Sequence, residues 1–270
     1  MKPFKKLVVA IAATLAVAAQ AAAPSPYVID PAQPVAGQSQ LDLSQQWWQW
    51  ILGAPAATNP LFDADGSFAG VNNNGSVFFL AGSWLGTPSV SRTINVAEGR
   101  PIFFPVLNNA SVYYNPSLGE PEEVCDSAPD RVACGLSFID MSGAAGGLTA
   151  MLDGKDLLTY PDYRQTSNGI FKVNLPADNV FAAFGLPVNE GEHDAVSDGY
   201  WVALSPLPTG VHTLTFGGAN GDFTLDVTDR LQVPEPAAPL SFLAAGLALW
   251  SGLRRRGRGR HDGASAPQPA

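Results

Sequence analysis

The sequence has few charged residues, two cysteines and three histidines, and each shortage limits what the chain can be. Charged side chains make up 14% of the 270 residues, whereas there are 27 Gly and 23 Pro. This composition is more typical of a turn-rich β protein than of a helical one. The sequence has no clustered histidines that could bind zinc and no nucleophile-elbow, dinucleotide-binding or P-loop motif. Motifs therefore predict no catalytic residue, no metal site and no cofactor.

Basic residues are concentrated at the two ends of the chain. Three lysines lie within residues 1–6 and five arginines within residues 254–260, so that seven basic and 23 acidic residues remain in the body. The net charge of the body is near −16. An acidic surface of this size argues against nucleic acid or anionic lipid as a partner. A glycosidase needs only a pair of carboxylates for catalysis, so the acidic residues of the body are compatible with a glycan hydrolase.

The N-terminal residues have the three parts of a secretory signal peptide. Basic residues are followed by an apolar run from Leu7 to Ala19 and by the small-residue pattern Ala19-Gln20-Ala21. We expect cleavage after Ala21, which makes residues 1–21 a removed signal peptide. The alternative is a retained membrane anchor, but the apolar run is shorter than the roughly 20 residues that a span needs.

The C-terminal residues combine a short motif, an apolar segment and a basic cluster. Pro234-Glu235-Pro236 precedes an apolar stretch, residues 237–253, which could form a membrane segment with its arginines in the cytoplasm. In this order the three parts resemble the PEP-CTERM sorting region of Gram-negative bacteria. The residues that carry the resemblance are Pro234, Glu235, Pro236, Arg254, Arg255 and Arg256.

The resemblance implies a route through the cell rather than an activity. In the PEP-CTERM family the membrane protease exosortase recognises the tripeptide and removes the helix and the arginine tail, and the proteins are associated with exopolysaccharide and the biofilm matrix. The implied partners are signal peptidase, exosortase and matrix polysaccharide. The implied localisation is transient insertion in the inner membrane, then the cell surface or the extracellular space. On this interpretation residues 234–260 are the sorting signal and residues 261–270 a disordered tail.

The body is predicted to be one β-sandwich or jelly-roll-like domain over residues 41–233, after an extended segment over residues 22–40. A short helix is expected first, with Asp42 as its N-cap and Gly53 at its end. About ten short strands should follow. The specific expectations are a buried strand at 77–80, an edge or short strand at 102–104 between two prolines, a type I′ turn at Asp153-Gly154 and a hairpin loop at 217–221.

Cys125 and Cys134 are the only cysteines, and their even number in an exported chain predicts one disulfide closing a local loop. A thiolate metal pair is the alternative, but the neighbouring sequence supplies no further cysteine or histidine. By the chain-entropy model a loop of this size contributes about 2–3 kcal/mol to stability.

The body also resembles a group of bacterial secreted proteins to which no activity is attached. The resemblance lies in a Trp-x-x-Trp start, a Phe-Leu-Ala-Gly strand end, a Phe-Phe-Pro segment, an Asp-Gly-Tyr-Trp stretch and a Pro-Leu-x-x-Gly-x-His segment. It spans most of residues 45–233 and implies a single domain without transferring catalytic residues. The matching segments begin or end at Trp47, Trp50, Phe79, Gly82, Phe103, Pro105, Asp198, Trp201, Pro206 and His212.

The candidate ligand-binding residues are aromatic, acidic or basic side chains from these segments. Aromatic rings can stack on sugars because they combine an apolar face with a polar handle, but in a sandwich the same rings also build the core. The candidates are Trp47, Trp50, Asp198, Trp201 and His212.

Two other features of the sequence have simple structural interpretations. His193 lies in an acidic stretch and is expected to be a solvated loop residue. Asp63-Ala64-Asp65-Gly66-Ser67 is similar to the start of a calcium loop but has Asn74 where an EF-hand requires Glu, which favours an Asp/Gly turn.

These observations favour a non-catalytic surface or matrix protein whose β domain binds or stabilises extracellular material. A secreted glycan hydrolase and a carbohydrate-binding module are the alternatives. Binding to ice is disfavoured, because the regular Thr-x-Thr repeats of a flat ice-binding face are missing.

Overall fold

A computed structural model describes residues 25–85, 89–144 and 146–235. The predicted signal peptide and everything from Pro236 onward lie outside these residues. The described chain is mainly β, with two sheets and three α-helices. The elements are β1 (Val28–Ile29), α1 (Gln40–Leu52), β2 (Phe78–Phe79), β3 (Ser89–Asn95), β4 (Ile102–Val112), α2 (Arg131–Ser137), β5 (Thr149–Leu152), β6 (Lys155–Asp156), β7 (Arg164–Thr166), β8 (Phe171–Leu175), α3 (Val180–Ala183), β9 (Gly191–Leu204), β10 (Gly210–Asn220) and β11 (Phe223–Val233).

The first helix begins earlier than the sequence indicates. Its N-cap is Ser39, whose hydroxyl oxygen accepts the backbone N–H of Asp42 at 3.1 Å and donates to the Asp42 carboxylate at 2.7 Å. The prediction of Asp42 as the cap was therefore wrong, because an earlier serine satisfies the free N–H groups of the first turn. The helix ends at Gly53, where it was expected to end.

The first sheet is organised around β9. The long strand β4 pairs antiparallel along one edge of β9, from Ile102 opposite Leu204 to Val112 opposite Ala195. The other edge is shared by three short antiparallel strands, β8, β7 and β1, which pair in turn with successive parts of β9. The parallel strand β2 completes this sheet on the far side of β4. An edge that is divided among three strands has breaks between them.

The expectation that residues 102–104 form an edge or short strand was wrong. β4 continues through Pro105 to Val112 and has neighbours on both sides. Pro105 has no N–H to donate to a ladder, and the register shifts between Pro105 and Leu107. The strand thus accommodates its proline with a bulge instead of ending there.

The second sheet has the order β3-β11-β10-β5-β6. Asp153 and Gly154, which join β5 to β6, both have positive φ angles, as the predicted type I′ turn requires. The predicted hairpin loop over residues 217–221 was wrong, because β10 and β11 stay paired up to Asn220 opposite Phe223. Gly217 lies within the ladder, where a Cβ would stand 2.0 Å from the carbonyl oxygen of Leu225. A close approach of two strands, not a turn, explains this glycine.

The first sheet is buried on both faces. One face packs against the second sheet, with the rings of Phe104 and Phe216 4.8 Å apart. The other face is covered by α1 and the segments that follow it, which pack on Phe103, Trp201 and neighbouring residues. Burial on both faces explains why β4 and β9 contain continuous apolar runs instead of alternating ones.

The compact unit that contains both sheets ends at Pro234. Its last strand, β11, lies between β3 and β10 and runs to Val233, which is 4% exposed. Within the three described ranges, no helix has the length and apolar character needed to span a membrane.

Candidate functional site

The three tryptophans predicted to bind ligand lie in the core. Trp47, Trp50 and Trp201 are 1%, 8% and 0% exposed. The ring of Trp201 stacks on Phe103 with centroids 5.2 Å apart, and the Trp47 indole donates to the carbonyl of Leu80 at 2.7 Å. Their ring faces are therefore covered by protein, and the core interpretation of these residues applies.

His212 has a structural position at the start of β10. Its Nδ1 lies 2.8 Å from Asp153 Oδ2 and its Nε2 lies 3.0 Å from the carbonyl oxygen of Pro208. The same carboxylate accepts the N–H of Thr213 at 2.8 Å. His212 thus joins the type I′ turn to the loop before β10, with both ring nitrogens engaged by protein groups.

The prediction that His193 is a solvated loop residue was wrong. It lies in β9, is 0% exposed, and its Nε2 is 2.9 Å from Glu120 Oε1. Glu120 also accepts backbone N–H groups of Asn115 and Asn189. Burial acts to raise the pKa of Glu120, but these hydrogen bonds outweigh it and lower the pKa. The pair fastens the loop after β4 to the start of β9.

The two cysteines form a disulfide beside α2, with their Cα atoms 5.7 Å apart. Gly135 of α2 packs so closely on Tyr113 that a Cβ would stand 2.1 Å from the phenol oxygen. The phenol donates to the carbonyl of Arg131 at 2.5 Å. The disulfide ties the short helix to the turn before it, and the contact with Tyr113 holds the helix against the first sheet.

The Asp63 loop has the geometry of an Asp/Gly turn. Asp63 is 1% exposed and its carboxylate accepts the backbone N–H groups of Asp65, Gly66 and Phe68 at 2.8–3.2 Å. Asp63 is thus engaged with its own loop.

Asp198, the remaining candidate, is a buried carboxylate at the centre of a polar cluster. It accepts hydrogen bonds from Arg164 Nε at 2.9 Å, Arg164 Nη2 at 2.6 Å, the Thr166 hydroxyl at 2.8 Å and the N–H of Met141 at 2.8 Å. Burial alone would raise its pKa, but these donors lower the pKa below the ordinary value. With four donors around it, Asp198 holds other groups in place.

The strand pairing explains why these side chains meet. Arg164 and Thr166 of β7 stand opposite Tyr200 and Asp198 of β9. Residues two apart in a strand share a face, and directly opposed residues share it too. All four side chains therefore project from the same side of the sheet.

The Arg164 guanidinium is held by several hydrogen bonds, but one of its nitrogens makes none to the described residues. Besides the two bonds to Asp198, its Nη2 donates to Asp140 at 2.7 Å, and these partners raise the pKa of the guanidinium. Its Nη1 has no hydrogen-bond partner among the described residues, and the side chain is 30% exposed. One edge of a fixed, permanently charged guanidinium is therefore open to a ligand.

Arg164 lines a cleft of about 440 Å³, which we call the Arg164 cleft. It forms where the chain leaves β1 and enters β7, which pair with neighbouring parts of the same edge of β9. Besides short apolar residues, the residues that line the Arg164 cleft are Asp30, Tyr160, Asp162, Arg164 and Gln165.

A second exposed feature is apolar. Phe184 is 56% exposed and Leu186 is 47% exposed in the segment after α3. The ring of Phe184 lies 6.0 Å from that of Phe62 and 5.8 Å from that of Trp84, which alone among the tryptophans in the described residues is partly exposed. We call these four residues the Phe184 surface.

The sequence predicted Asp198 as a site residue but did not predict Arg164, which Asp198 holds, or the other residues of the Arg164 cleft. Arg164, Tyr160 and Gln165 lie in a turn-rich stretch without a recognisable motif, and only the pairing of β7 with β9 brings Arg164 to Asp198. Of the sorting residues, Pro234 and Glu235 are described; Pro236, Arg254, Arg255 and Arg256 lie outside the described residues.

Comparisons with known proteins do not assign the chain to a family. No family model matches it, and no curated protein matches it. Among solved structures, the solution structure of amebosin is similar over 53% of this chain and 96% of that chain, with 11% identity and a TM-score of 0.14. A TM-score this low carries no argument about fold or function.

Proposed function

We propose that the chain is an exported protein, sorted through its PEP-CTERM signal, whose body is a non-catalytic β-sandwich that binds or stabilises extracellular material. The observation that carries the proposal is where the compact unit ends. β11 is a central strand with a buried last residue, Val233, and Pro234 of the sorting triplet follows directly. Cleavage at or after the triplet would therefore leave every strand of the body intact.

The disulfide supports export. Structural disulfides persist in oxidising compartments and are rare in the cytosol. A chain whose two cysteines are both used in one disulfide suits the periplasm or the cell exterior.

The experiment is expression of the full chain in a Gram-negative host that contains an exosortase. We expect a mature body ending near Pro234–Pro236 in the outer-surface or medium fraction. The variant Pro234→Ala/Glu235→Ala/Pro236→Ala should stay at full length in the inner membrane. Lys155→Ala, an exposed substitution far from the triplet in sequence, is the matched control. Identical processing and localisation of the triplet variant and the wild type would refute the sorting role.

A glycan hydrolase is the second candidate, because Asp30 and Asp162 line the same cleft. Such an enzyme needs one carboxyl group as acid and another as base or nucleophile. Release of reducing sugar from a polysaccharide panel by the wild type, abolished in Asp162→Asn, would favour it over a binding domain.

A further inference from the structure

We propose that the Arg164 cleft binds an uncharged oligosaccharide. The proposal deepens the proposed function by naming the ligand class of the exported body, and it rests on that function only in assuming that the body meets extracellular polymers. Three properties of the Arg164 cleft lead to this ligand: its unused polar groups, its aromatic ring and its charge.

The unused polar groups match the hydroxyl groups of a sugar. Arg164 Nη1 has no hydrogen-bond partner among the described residues and can donate two hydrogen bonds. Asp30 and Asp162 each accept a local backbone N–H through Oδ1, from Ala32 and Arg164 respectively, at 2.9 Å. No hydrogen bond to either Oδ2 is present among the described residues, so both oxygens can accept from a ligand hydroxyl. Vicinal hydroxyl groups need such donors and acceptors side by side.

The aromatic ring is Tyr160, which is half-buried at the rim. Its ring packs edge-on against Tyr163, with centroids 6.1 Å apart. Tyr163 is 5% exposed, and its hydroxyl donates to Leu157 O at 2.5 Å and accepts the N–H of Thr159 at 3.1 Å. Tyr160 is therefore supported by a fixed neighbour and can offer a ring to the C–H face of a sugar.

The charge of the Arg164 cleft disfavours an acidic ligand. Arg164 is ion-paired with Asp140 and Asp198, and Asp30 and Asp162 line the same cleft, so this set of five residues has one positive and four negative side chains. The body as a whole is acidic as well. A uronate, sulfate or phosphate group would meet net repulsion in the Arg164 cleft, whereas an uncharged sugar would not.

Asp198 acts as a positioning residue. It is 1% exposed and fixes both Nε and Nη2 of Arg164, which leaves Nη1 as the free edge. Holding a long side chain in one geometry before binding reduces the entropy lost when the ligand binds. Asp198→Asn should therefore weaken binding even though Asp198 itself does not touch the ligand.

The test is titration calorimetry with the mature protein, using uncharged hexasaccharides of glucose, galactose and mannose and an oligogalacturonate of the same length. We expect at least one uncharged hexasaccharide to bind, and the oligogalacturonate to bind at least tenfold more weakly. Arg164→Lys, which keeps the charge but loses the planar edge, should weaken binding about tenfold or more, as should Tyr160→Ala. Phe184→Ser should bind like the wild type, since the Phe184 surface is separate from the Arg164 cleft in its lining residues. Circular dichroism and thermal unfolding confirm that each variant is folded.

Three results would overturn the proposal: no binding of any uncharged hexasaccharide by folded protein, equal or tighter binding of oligogalacturonate, or binding lost in Phe184→Ser but kept in Arg164→Lys. Processing at the sorting triplet is measured on the same strains. Arg164→Lys leaves the triplet intact, so a failed binding experiment with normal processing removes the ligand assignment and leaves the sorting role standing.

Discussion

The protein contains two arginine–aspartate pairs with the same bidentate chemistry and different surroundings. Arg92 and Asp229 are 1% and 0% exposed in their side chains, and the guanidinium also donates to the carbonyls of Ala81 and Gly82. Arg164 and Asp198 make the same two-bond contact, but Arg164 is 30% exposed and its Nη1 is unpaired among the described residues.

The difference in exposure and pairing means that Arg92–Asp229 has a structural role, whereas Arg164–Asp198 presents a free edge of its guanidinium to a ligand. Each guanidinium nitrogen of Arg92 has a protein partner, so the pair ties β3 and β11 to the segment after β2. The Arg164 pair fastens β7 to β9 and leaves Nη1 without a partner among the described residues, on a residue that lines a cleft. A carboxylate that fixes an arginine does not by itself indicate a binding site. The indication is a guanidinium edge that has no protein partner.

The largest expected effect comes from breaking the buried pair. Arg92→Met leaves the Asp229 charge in the core without a partner, which costs about 3–5 kcal/mol in unfolding free energy. Chemical denaturation should show the loss directly. The double variant Arg92→Met/Asp229→Leu should recover much of it, because no buried charge remains. A single variant as stable as the wild type would show that the pair does not hold the two strands.

Asp198→Asn should have a smaller effect on stability. The amide leaves Arg164 without its carboxylate partner, but Arg164 keeps Asp140 and access to water, so we expect a loss of about 1–3 kcal/mol. Denaturation measured beside Arg92→Met gives the comparison. A loss as large as that of Arg92→Met would contradict the distinction between the two pairs.

Acid should weaken the Arg164 pair by protonating Asp198. Its pKa is lowered in the folded protein from an ordinary value of 3.8, so its contribution is present above that value and is lost as the pH falls through the folded-state pKa. Unfolding free energies measured between pH 5 and pH 2 should fall less steeply below pH 4 in Asp198→Asn than in the wild type. Parallel curves would show that Asp198 makes no such contribution.

The smallest effect should come from Phe184→Ser. Phe184 is more than half exposed, so its removal should change stability by no more than about 0.5–1 kcal/mol and should leave oligosaccharide binding unchanged. Thermal unfolding and calorimetry on the variant used above check both points.

Whether the sequence predicts a contact depends on how far apart the two residues lie along the chain. Local signals worked where neighbouring residues decide the structure, as in the Asp153-Gly154 turn and the end of α1 at Gly53. Signals failed where distant segments decide it. Pro105 stays in a strand because β9 pairs with the strand on both sides of it, and the buried His193 has its partner Glu120 at a distance of 73 residues in the sequence. Arg92 and Asp229 are 137 residues apart and Arg164 and Asp198 are 34 apart, and no local pattern marks either pairing. The Arg164 cleft arises from a break between short strands on one edge, which only the topology defines.

The most direct measurement is NMR of the arginine guanidinium groups during titration with the uncharged hexasaccharide that binds. The resonances of Arg164, assigned from Arg164→Lys, should shift in a saturable way, and those of Arg92 should stay in place. Shifts at Arg92 equal to those at Arg164, or saturable binding that leaves the Arg164 resonances unmoved, would contradict the claim that the open guanidinium edge is the binding group.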